Sequence, residues 1–311
     1  MKFFSADEIH EKLTYERCID AVRAGMIALS LGETSQLPRG MLPLEGERKF
    51  GVMTGALGGT GPVGSKLISI FPDNFARGLS SHQGLVALFD RDTGAPMAIA
   101  DASSLTAIRT GCASAVATDA LARQDAHSLL LLGYGEQSES HLEAIRRVRP
   151  IDQVSVWGRS FERARAFAER MGAQTGLPIA VADSVREAAA EADIICTLTH
   201  AHDPILLGAW VRPGTHINAV GSAVPGPVEI DNDLVMKSRY VADSRVNVML
   251  AGAEFLKAKE AGLIGDDHIV AEIGEVLAGK IPGRRSADEI TLYKSLGHIV
   301  QDLASLAAIL D

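Results

Sequence analysis

The spacing of apolar residues along the first third of the chain predicts helices followed by strands. Residues 5–8 (SADE) have the capping-box pattern of a helix start, and apolar positions from 14 to 31 follow helical spacing. Between residues 49 and 101 the pattern becomes that of strands, with a hairpin turn at 92–94. Small residues fill the helical pattern at 103–123, which predicts a closely packed helix.

From residue 128 onward, short apolar strands alternate with helices of about 10–15 residues. We predict strands at 128–133, 153–157, 178–182, 193–199, 215–221 and 239–243. Helices are predicted between the first four of them, at 138–148, 161–171 and 184–192. This alternation is typical of βαβ units that build a parallel sheet. The tail at 291–310 has helical spacing, and we expect one more amphipathic helix there.

Length and pattern together predict an α/β fold with two domains. A chain of 311 residues is long for one core, and 47% hydrophobic with 22% charged residues is an ordinary globular composition. We assign residues 120–290 to a Rossmann-type doubly wound domain. Residues 1–119, joined by the last helix at about 291–311, form a second, α+β domain.

Charge and cysteine content exclude several classes of partner. The net charge of −9 argues against nucleic acid and anionic membranes. No apolar run approaches the roughly 20 residues of a membrane helix, and Asp7 and Glu8 come too early for a signal peptide. The three cysteines, at 18, 112 and 196, form no CxxC pair. We therefore expect a cytoplasmic protein without a membrane or nucleic-acid partner.

The stretch "LLLLGYGEQSES" predicts a dinucleotide-binding turn between a strand and a helix. Gly133 allows the tight turn, and Gly135 lets the backbone approach a pyrophosphate at the helix N-terminus. Ser138 replaces the usual third glycine and is small enough for close packing. A simple tight turn is the alternative interpretation, but its place in a βαβ unit favours dinucleotide binding.

The residues after the second strand of this domain indicate which dinucleotide is bound. An NAD site expects a carboxylate there, for the ribose hydroxyls. Gly158, Arg159 and Ser160 follow the strand instead, and a guanidinium with a hydroxyl suits a 2′-phosphate. We therefore favour NADP(H) over NAD(H). The alternative is that Ser160 caps the next helix and Arg159 is solvated.

Three basic residues outside the Rossmann-type region are candidates for binding an anionic substrate. Arg39 lies between prolines, Lys66 lies in an apolar strand, and Arg109 lies on the helix of small residues. Arginine binds carboxylates through two parallel hydrogen bonds, and a partly buried lysine can orient a substrate or pass a proton. Each residue could equally be a surface charge or part of a structural ion pair.

Histidines are the remaining candidates for site chemistry. His200, His202 and Asp203 lie close together, but no further set of ligands with suitable spacing accompanies them. We predict no metal site and interpret them as a polar rim or a helix cap. His82 precedes a strand and is either a cleft residue or a structural histidine.

Eight stretches spread over nearly the whole chain carry a family resemblance. They are "VGSKLISIFPDN", "SSHQG", "LFDRDTGAPMAIADASSLTAIRTGCASAVAT", "LLGYGEQSESHLEAI", "ADIICTLT", "PILLGAWVRPGTHINAVGS", "EIDNDL" and "LYKSLGHIVQD". Together they resemble the ornithine cyclodeaminase/mu-crystallin family, most closely its mu-crystallin or ketimine reductase branch.

The resemblance implies a homodimer whose α+β domain forms the subunit contact and the base of the substrate site. It implies that Arg39, Lys66 and Arg109 contact the carboxylate region of the substrate, and we predict these three as the catalytic residues. It also implies a set of residues along the cofactor, namely Ser81, His82, Arg109, Gly135, Gln137, Arg159, Ser160, Thr197, Leu198, Val220, Ser222 and Ser295. We add to this cofactor-binding set Gly133, Glu136, Gly158 and Gly221.

One stretch, "AVGSAVPGPVE" at 219–229, departs from the cyclodeaminase pattern. Ornithine cyclodeaminases read Gly-(Gly/Ala)-Asp-x-Pro-Gly-Lys there, with the Asp assigned an acid/base role. Here Ala223 replaces that Asp and Pro227 replaces the Lys. Alanine has no proton to exchange, so we interpret the loop as one that shapes the site.

These observations predict an NADPH-dependent reductase of a small cyclic imino acid, such as Δ1-pyrroline-2-carboxylate or Δ1-piperideine-2-carboxylate. The alternatives are ornithine cyclodeamination, an amino-acid or opine-type dehydrogenase, and a cofactor-dependent ligand-binding protein with little turnover. The missing acid at position 223 and the missing ribose carboxylate both argue against cyclodeamination.

Overall fold

The computed structural model describes residues 1–80 and 82–310, without the side chains of residues 75 and 76. The chain divides into two compact units, Met1–Thr110 with His298–Asp311, and Gly111–Gly297. Within the described residues, none of the helices is long and apolar enough to cross a membrane.

The secondary structure of the described residues consists of fifteen strands and eleven helices, besides short 3-10 turns. The strands are β1 (Lys2–Phe4), β2 (Ser35–Gln36), β3 (Gly40–Pro43), β4 (Lys49–Ala56), β5 (Val63–Ile70), β6 (His82–Phe89), β7 (Pro96–Asp101), β8 (Ser128–Leu132), β9 (Gln153–Trp157), β10 (Ile179–Val181), β11 (Ile194–Thr197), β12 (His216–Ala219), β13 (Arg239–Ala242), β14 (Ile269–Glu272) and β15 (Thr291–Lys294). The helices are α1 (Ala6–Lys12), α2 (Tyr15–Ser30), α3 (Ala102–Leu121), α4 (Glu136–Ile145), α5 (Phe161–Thr175), α6 (Val185–Glu191), α7 (Asn232–Lys237), α8 (Arg245–Ala251), α9 (Ala253–Glu260), α10 (Ile273–Leu277) and α11 (Ile299–Ala307).

The first unit is built on a sheet with the order β1-β7-β6-β5-β4-β2, and β3 also pairs with β4. Strands β4 to β7 form an antiparallel meander. The predicted hairpin joins β6 and β7, and its turn is held by the Asp90 carboxylate, which accepts hydrogen bonds from the backbone and hydroxyl of Thr93. Helix α11 packs against α2 and against β4, β5 and β6, and its residues 299–306 are all buried.

The second unit contains an eight-stranded parallel sheet with the order β10-β9-β8-β11-β12-β15-β13-β14. Its central strands are buried along their whole length, which is typical of a parallel sheet with both faces covered. The chain order reverses between β8 and β11. In open α/β sheets a ligand binds outside the carboxyl ends of the strands at such a reversal. The predicted Rossmann-type α/β fold is confirmed.

The prediction of a single helix at 291–310 is wrong in its first part. Thr291–Lys294 form β15, which lies in the middle of the parallel sheet between β12 and β13. A short apolar run cannot be assigned to strand or helix from its spacing alone, and here burial on both faces decided for a strand. The helix begins only at Ile299, capped by His298. Residues 291–297, which we placed with the first domain, therefore belong to the second unit.

The division between the two units falls within helix α3, between Thr110 and Gly111, whereas we expected a boundary at residues 119–120. The helix was predicted at 103–123 and spans Ala102–Leu121. Its first half lies in the first unit, whereas residues from Gly111 onward lie in the second. Because a continuous helix has no break in its hydrogen-bonding pattern, its sequence offers no local signal of a boundary at this position.

Candidate active site

Lys66 occupies the interior of the first unit. It lies on β5, where alternate residues point inward, and its side chain is only 3% exposed. Its ammonium group donates hydrogen bonds to Thr106 Oγ1 at 2.6 Å and to Asp302 Oδ1 at 3.0 Å. The lysine predicted from its apolar strand is therefore a buried cation held by α3 and α11.

Arg109 contacts the same carboxylate from α3. Its Nε donates to Asp302 Oδ1 at 3.0 Å, and its Nη1 donates to Gln301 Oε1 at 2.6 Å. Thr106 and Arg109 are three residues apart and so share one face of α3. Residues far apart in the chain thus form one buried group in the first unit, which we call the cationic cluster: Lys66, Thr106, Arg109, Gln301 and Asp302.

Burial and charge act in opposite directions on the pKa values of this cluster. Burial lowers the pKa of Lys66 to about 8, although the negative charge of Asp302 acts to raise it. Burial would raise the pKa of Asp302, but Arg109 and Lys66 outweigh it and hold that pKa below its ordinary value. The exposed Arg39 also acts on the cluster, since its charge contributes to lowering the pKa of Lys66.

His298 lies beside the cationic cluster and is neutral at physiological pH. Burial lowers its pKa to about 4, while Asp302 raises it and Arg39 and Arg109 lower it. The Nδ1 atom accepts a hydrogen bond from Val300 N at the start of α11. An unprotonated Nδ1 places the remaining ring proton on Nε2.

The glycine turn after β8 has the geometry that a pyrophosphate requires. Gly133 has φ +126°, and a side chain there would come within 2.9 Å of Leu198 O. Gly135 is the N-cap of α4, and nothing lies within 4 Å of where its Cβ would be. Open space in front of a helix N-terminus fits a phosphate. Glu136 and Gln137 form the first turn of that helix.

The residues after β9 lie next to the glycine turn in space. A side chain at Gly158 would come within 2.2 Å of the Tyr134 ring, so any larger residue there would require that ring to shift. The Arg159 side chain is exposed, and Ser160 Oγ accepts a long hydrogen bond of 3.4 Å from Arg163 N. Ser160 therefore does cap α5, as its alternative interpretation expects. No carboxylate occupies positions 158–160.

The other predicted cofactor residues of the second unit follow β11, β12 and β15 at the same edge of the sheet. The backbone N–H groups of Val220 and Gly221 both donate to Thr197 O, at 3.1 and 3.0 Å. Ser295 N donates to Ala219 O at 3.1 Å. The structure thus brings together the carboxyl ends of these strands, with residues Thr197, Leu198, Val220, Gly221, Ser222 and Ser295.

Glu229 is buried below the loop that follows β12. Its carboxylate accepts hydrogen bonds from Thr197 Oγ1 at 2.7 Å, from Thr199 N at 2.6 Å and from Gly221 N at 2.8 Å. Burial raises its pKa, while the hydrogen bonds from Thr197 and Thr199 act against this shift. This carboxylate fixes the backbone on which cofactor residues are predicted.

A second buried carboxylate pairs with the lysine of β15. Lys294 Nζ lies 2.7 Å from Glu254 Oε2, and it donates to Ser222 O at 2.8 Å and to Ser222 Oγ at 2.7 Å. Ser222 Oγ also contacts Glu254 Oε1. Lys294 and Glu254 are fully buried, and Lys294 outweighs burial to hold the pKa of Glu254 below its ordinary value.

The remaining candidates are placed as follows. His82 begins β6, and its backbone carbonyl accepts a hydrogen bond from Ser103 Oγ at 2.7 Å. Ser81 lies outside the described residues. His200, His202 and Asp203 are exposed. Among the residues that the structure describes, no group of three or more His, Cys, Asp and Glu side chains could hold a metal ion.

Sequence reasoning missed the polar residues of α11 and of the sheet interior. Asp302 and Gln301 interrupt "HIVQDLASLAAIL", where a charged residue in a buried helix was a usable signal. Lys294 and Glu254 gave no such signal, because each lies in a segment that also suits an exposed surface. Their pairing depends on the insertion of β15 into the sheet.

Comparison with known proteins agrees with this geometry. The model of the ornithine cyclodeaminase/mu-crystallin family matches residues 1–311. The Δ1-pyrroline-2-carboxylate reductase of Bacillus thuringiensis subsp. konkukian is 33% identical over 97% of this chain and 94% of its own length. The ketimine reductase mu-crystallin of Rattus norvegicus is 34% identical over 99% of this chain and 96% of its own length.

A solved structure extends the likeness to three dimensions. The Thermococcus litoralis Δ1-pyrroline-2-carboxylate reductase, in complex with NADH and L-proline, superposes with a TM-score of 0.96. It is 32% identical, and the match covers 100% of this chain and 96% of that one. With a whole-length family match and relatives above 30% identity, the chain belongs to the ornithine cyclodeaminase/mu-crystallin family.

Proposed function

We propose that this protein reduces a small cyclic imino acid, of the Δ1-pyrroline-2-carboxylate or Δ1-piperideine-2-carboxylate type, with NADPH as the reductant. The observation that carries the proposal is the buried cationic cluster, in which Lys66 and Arg109 share the single carboxylate of Asp302. The similarity to a Δ1-pyrroline-2-carboxylate reductase and to a ketimine reductase mu-crystallin supports it, in agreement with the prediction of a nicotinamide-dependent oxidoreductase acting on carbon–nitrogen bonds.

The charges of the cluster favour an anionic substrate. Lys66, Arg109 and the nearby Arg39 carry three positive charges, and Asp302 carries one negative charge. Lys66 uses two of its three N–H donors, and the Nη2 group of Arg109 has no partner among the described residues. A carboxylate bound to these donors would receive charge-assisted hydrogen bonds. The substrate carboxylate is therefore the group that the cluster holds.

The second unit supplies the residues for the cofactor. The open space at Gly135 and the N-terminus of α4 would hold the pyrophosphate. A bound nicotinamide dinucleotide supplies hydride. The loop at 221–227 would lie against it, with Gly221 held by Glu229 and Ser222 held by Lys294. These residues position the cofactor, and Ala223 exchanges no proton.

The preference for NADP(H) depends on residues after β9. Arg159 is exposed, and no carboxylate stands at positions 158–160 to bond a ribose hydroxyl or repel a phosphate. The Thermococcus structure contains NADH, so the preference rests on this chain's own residues.

The absence of a side-chain acid at position 223 is compatible with imine reduction. A cyclic ketimine is partly protonated in neutral solution, so its nitrogen can bring the proton from water. The cationic cluster then needs only to fix the carboxylate and, through it, the position of the imine carbon. Cyclodeamination would require a group to exchange protons with the substrate amine, and Ala223 cannot do so.

The protein is further proposed to form a homodimer through the first unit. Apolar side chains remain exposed along β3 and its flanks, which we call the apolar edge: Leu37, Met41, Leu42, Leu44 and Val52. An exposed apolar patch at the edge of a sheet is typical of an interaction surface.

A screen of cyclic imines, keto acids with amines, and ornithine, with both reduced and oxidised cofactors, tests the proposal. We expect NADPH oxidation that depends on an added cyclic imino acid and gives the corresponding cyclic amino acid. Release of ammonia and proline from ornithine with NAD would favour a cyclodeaminase. Tight cofactor binding without turnover of any imine would favour a ligand-binding protein.

A further inference from the structure

Three elements of the first unit converge on one carboxylate oxygen. Asp302 Oδ1, on α11, accepts a hydrogen bond from Lys66 on β5 and another from Arg109 on α3, both at 3.0 Å. The Asp302 side chain is fully buried, and its Oδ2 has no hydrogen-bond partner within the described part of the chain. The interactions of this carboxylate are thus directed to the two cations.

The other charged groups that act most strongly on Lys66 are positive. Arg109 on α3 and Arg39 ahead of β3 both repel its ammonium charge. His298, at the start of α11, is neutral, and Thr106 offers only a hydroxyl oxygen. Asp302 is therefore the charged group that most strongly favours the charged form of Lys66.

The same bonds set the direction of the remaining donors. Asp302 takes one N–H of Lys66 and the Nε–H of Arg109, while Gln301 takes an Nη1–H. The third ammonium N–H and the Nη2 group are left for a ligand. A donor pair held on one side by buried acceptors is pre-organised, so binding a carboxylate costs little further ordering.

We propose that Asp302 is a positioning residue for imino acid reduction, which aligns Lys66 and Arg109 and keeps Lys66 protonated to bind the substrate carboxylate. This inference rests on the proposed function, because the substrate carboxylate is the ligand it invokes. Asp302 itself does not touch the substrate.

The electrostatic balance of Lys66 indicates what Asp302 contributes. Burial already lowers the pKa of Lys66 to about 8, and Asp302 opposes that shift. An opposite charge at this distance shifts a pKa by about 1–3 units. Removing the charge of Asp302 should therefore lower the pKa of Lys66 further and discharge it near neutral pH.

The test compares the pH dependence of kcat/KM in the wild type and in Asp302→Asn, which keeps the shape and removes the charge. We expect the loss of kcat/KM at alkaline pH to begin about 1–3 units lower in the variant, with a reduction of roughly tenfold at about pH 7.5. The matched control is Gln301→Leu, which removes a neutral acceptor from Arg109 on the same helix. It should weaken substrate binding but leave the alkaline midpoint unchanged.

A second measurement separates this inference from the proposed reaction. Pyrrole-2-carboxylate is planar, cannot be reduced by this route, and stays ionised between about pH 6 and pH 10. Its affinity, measured by calorimetry, should fall with the same midpoint as kcat/KM and show the same shift in Asp302→Asn. Because the probe does not titrate in this range, the midpoint belongs to the protein.

The outcomes are distinct. A shifted midpoint for pyrrole-2-carboxylate without turnover of any imine would support the role of Asp302 and overturn the proposed function. Imine reduction with an unshifted midpoint in Asp302→Asn would support the function and overturn the role of Asp302. If Asp302→Asn does not fold, Asp302→Glu decides, since it keeps the charge. A kcat/KM that falls at every pH with an unchanged midpoint supports the inference, because the charge is kept but displaced by one methylene, and a wild-type kcat/KM or a lowered midpoint overturns it.

Discussion

Lys66 carries a burial cost that its neighbours only partly offset. Its side chain is almost fully enclosed, and its pKa of about 8 lies below the ordinary 10.5 although Asp302 pairs with it. A charge retained under these conditions is destabilising and is expected at a functional site. The same environment makes the stability of the protein depend on pH in a defined direction.

The unfolding free energy of the wild type, relative to Lys66→Met, should rise between about pH 8 and pH 10.5. In this range the unfolded lysine keeps its proton while the folded one has released it, so the unfolded state binds more protons. Below about pH 8 both states are protonated and the difference is constant. Urea unfolding at about pH 7, 9 and 10 measures the effect. A difference that does not change with pH would show that Lys66 has no lowered pKa.

Arg159 is the residue on which the proposed preference for NADP(H) depends. Arg159→Asp should reduce kcat/KM for NADPH by about 10–100-fold, because a guanidinium–phosphate contact is worth about 1.5–3 kcal/mol. NADH use should be kept or improved, since the new carboxylate can bond the ribose hydroxyls. Initial rates with both cofactors measure the preference.

The control for this substitution lies on α5, the helix that follows Arg159. Arg165→Asp makes the same charge change at an exposed position of α5, where Arg165 pairs only with the exposed Glu162 and Glu169. It should alter the use of both cofactors to a similar, small extent. If Arg159→Asp behaved in the same way as Arg165→Asp, the NADP(H) preference would have another origin.

At the scale of elements, β15 couples the sheet interior to the loop after β12. Its last residue, Lys294, is fully buried against Glu254 of α9 and donates to Ser222. A buried ion pair contributes little net stability, but removal of one partner leaves an uncompensated charge. The strand therefore fixes the loop through the Lys294–Glu254 pair, and replacing only one of these two residues should destabilise the protein.

Lys294→Met should lower the unfolding free energy by about 3–5 kcal/mol, because Glu254 is then buried without its cation. Adding Glu254→Gln to that variant should recover part of the loss. The control, Lys237→Met, breaks an exposed pair with Asp233 and should cost at most about 1 kcal/mol. Chemical denaturation measures all three. Equal losses for Lys294→Met and Lys237→Met would argue against a buried pair in solution.

At the scale of the whole molecule, the two units divide the chemistry. The first carries the cationic cluster and the second carries the glycine turn. The first also exposes the apolar edge, where Leu37 is 67% and Leu42 is 60% exposed. Such side chains in water are unfavourable unless another surface covers them.

Leu42→Glu should therefore convert a dimer into monomers, since a charge would be buried in the contact. Light scattering after gel filtration measures the mass. Val246→Glu serves as the control, because Val246 is 65% exposed on α8 of the second unit and should leave the mass unchanged. A wild-type protein that is monomeric, or a Leu42→Glu variant that remains dimeric, would contradict the proposed role of the apolar edge.

The amino-acid sequence by itself determined the parallel sheet, the hairpin and the dinucleotide turn. These features follow from local spacing, because apolar periodicity and glycine positions restrict the backbone wherever they occur. It also marked Lys66 and Arg109 as unusual cations and Ala223 as a missing acid, since each contrasts with its immediate neighbours.

Only the tertiary structure decided what those residues contact. Asp302 follows Lys66 by 236 positions, and their meeting depends on α11 packing against the sheet of the first unit. Thr291–Lys294 form a central strand because they pair with β12 on one side and with β13 on the other, inside the buried sheet. The spacing of apolar residues predicts neither the Lys66–Asp302 contact nor the position of β15. Both depend on the free energy of burial, which is gained only when the chain folds.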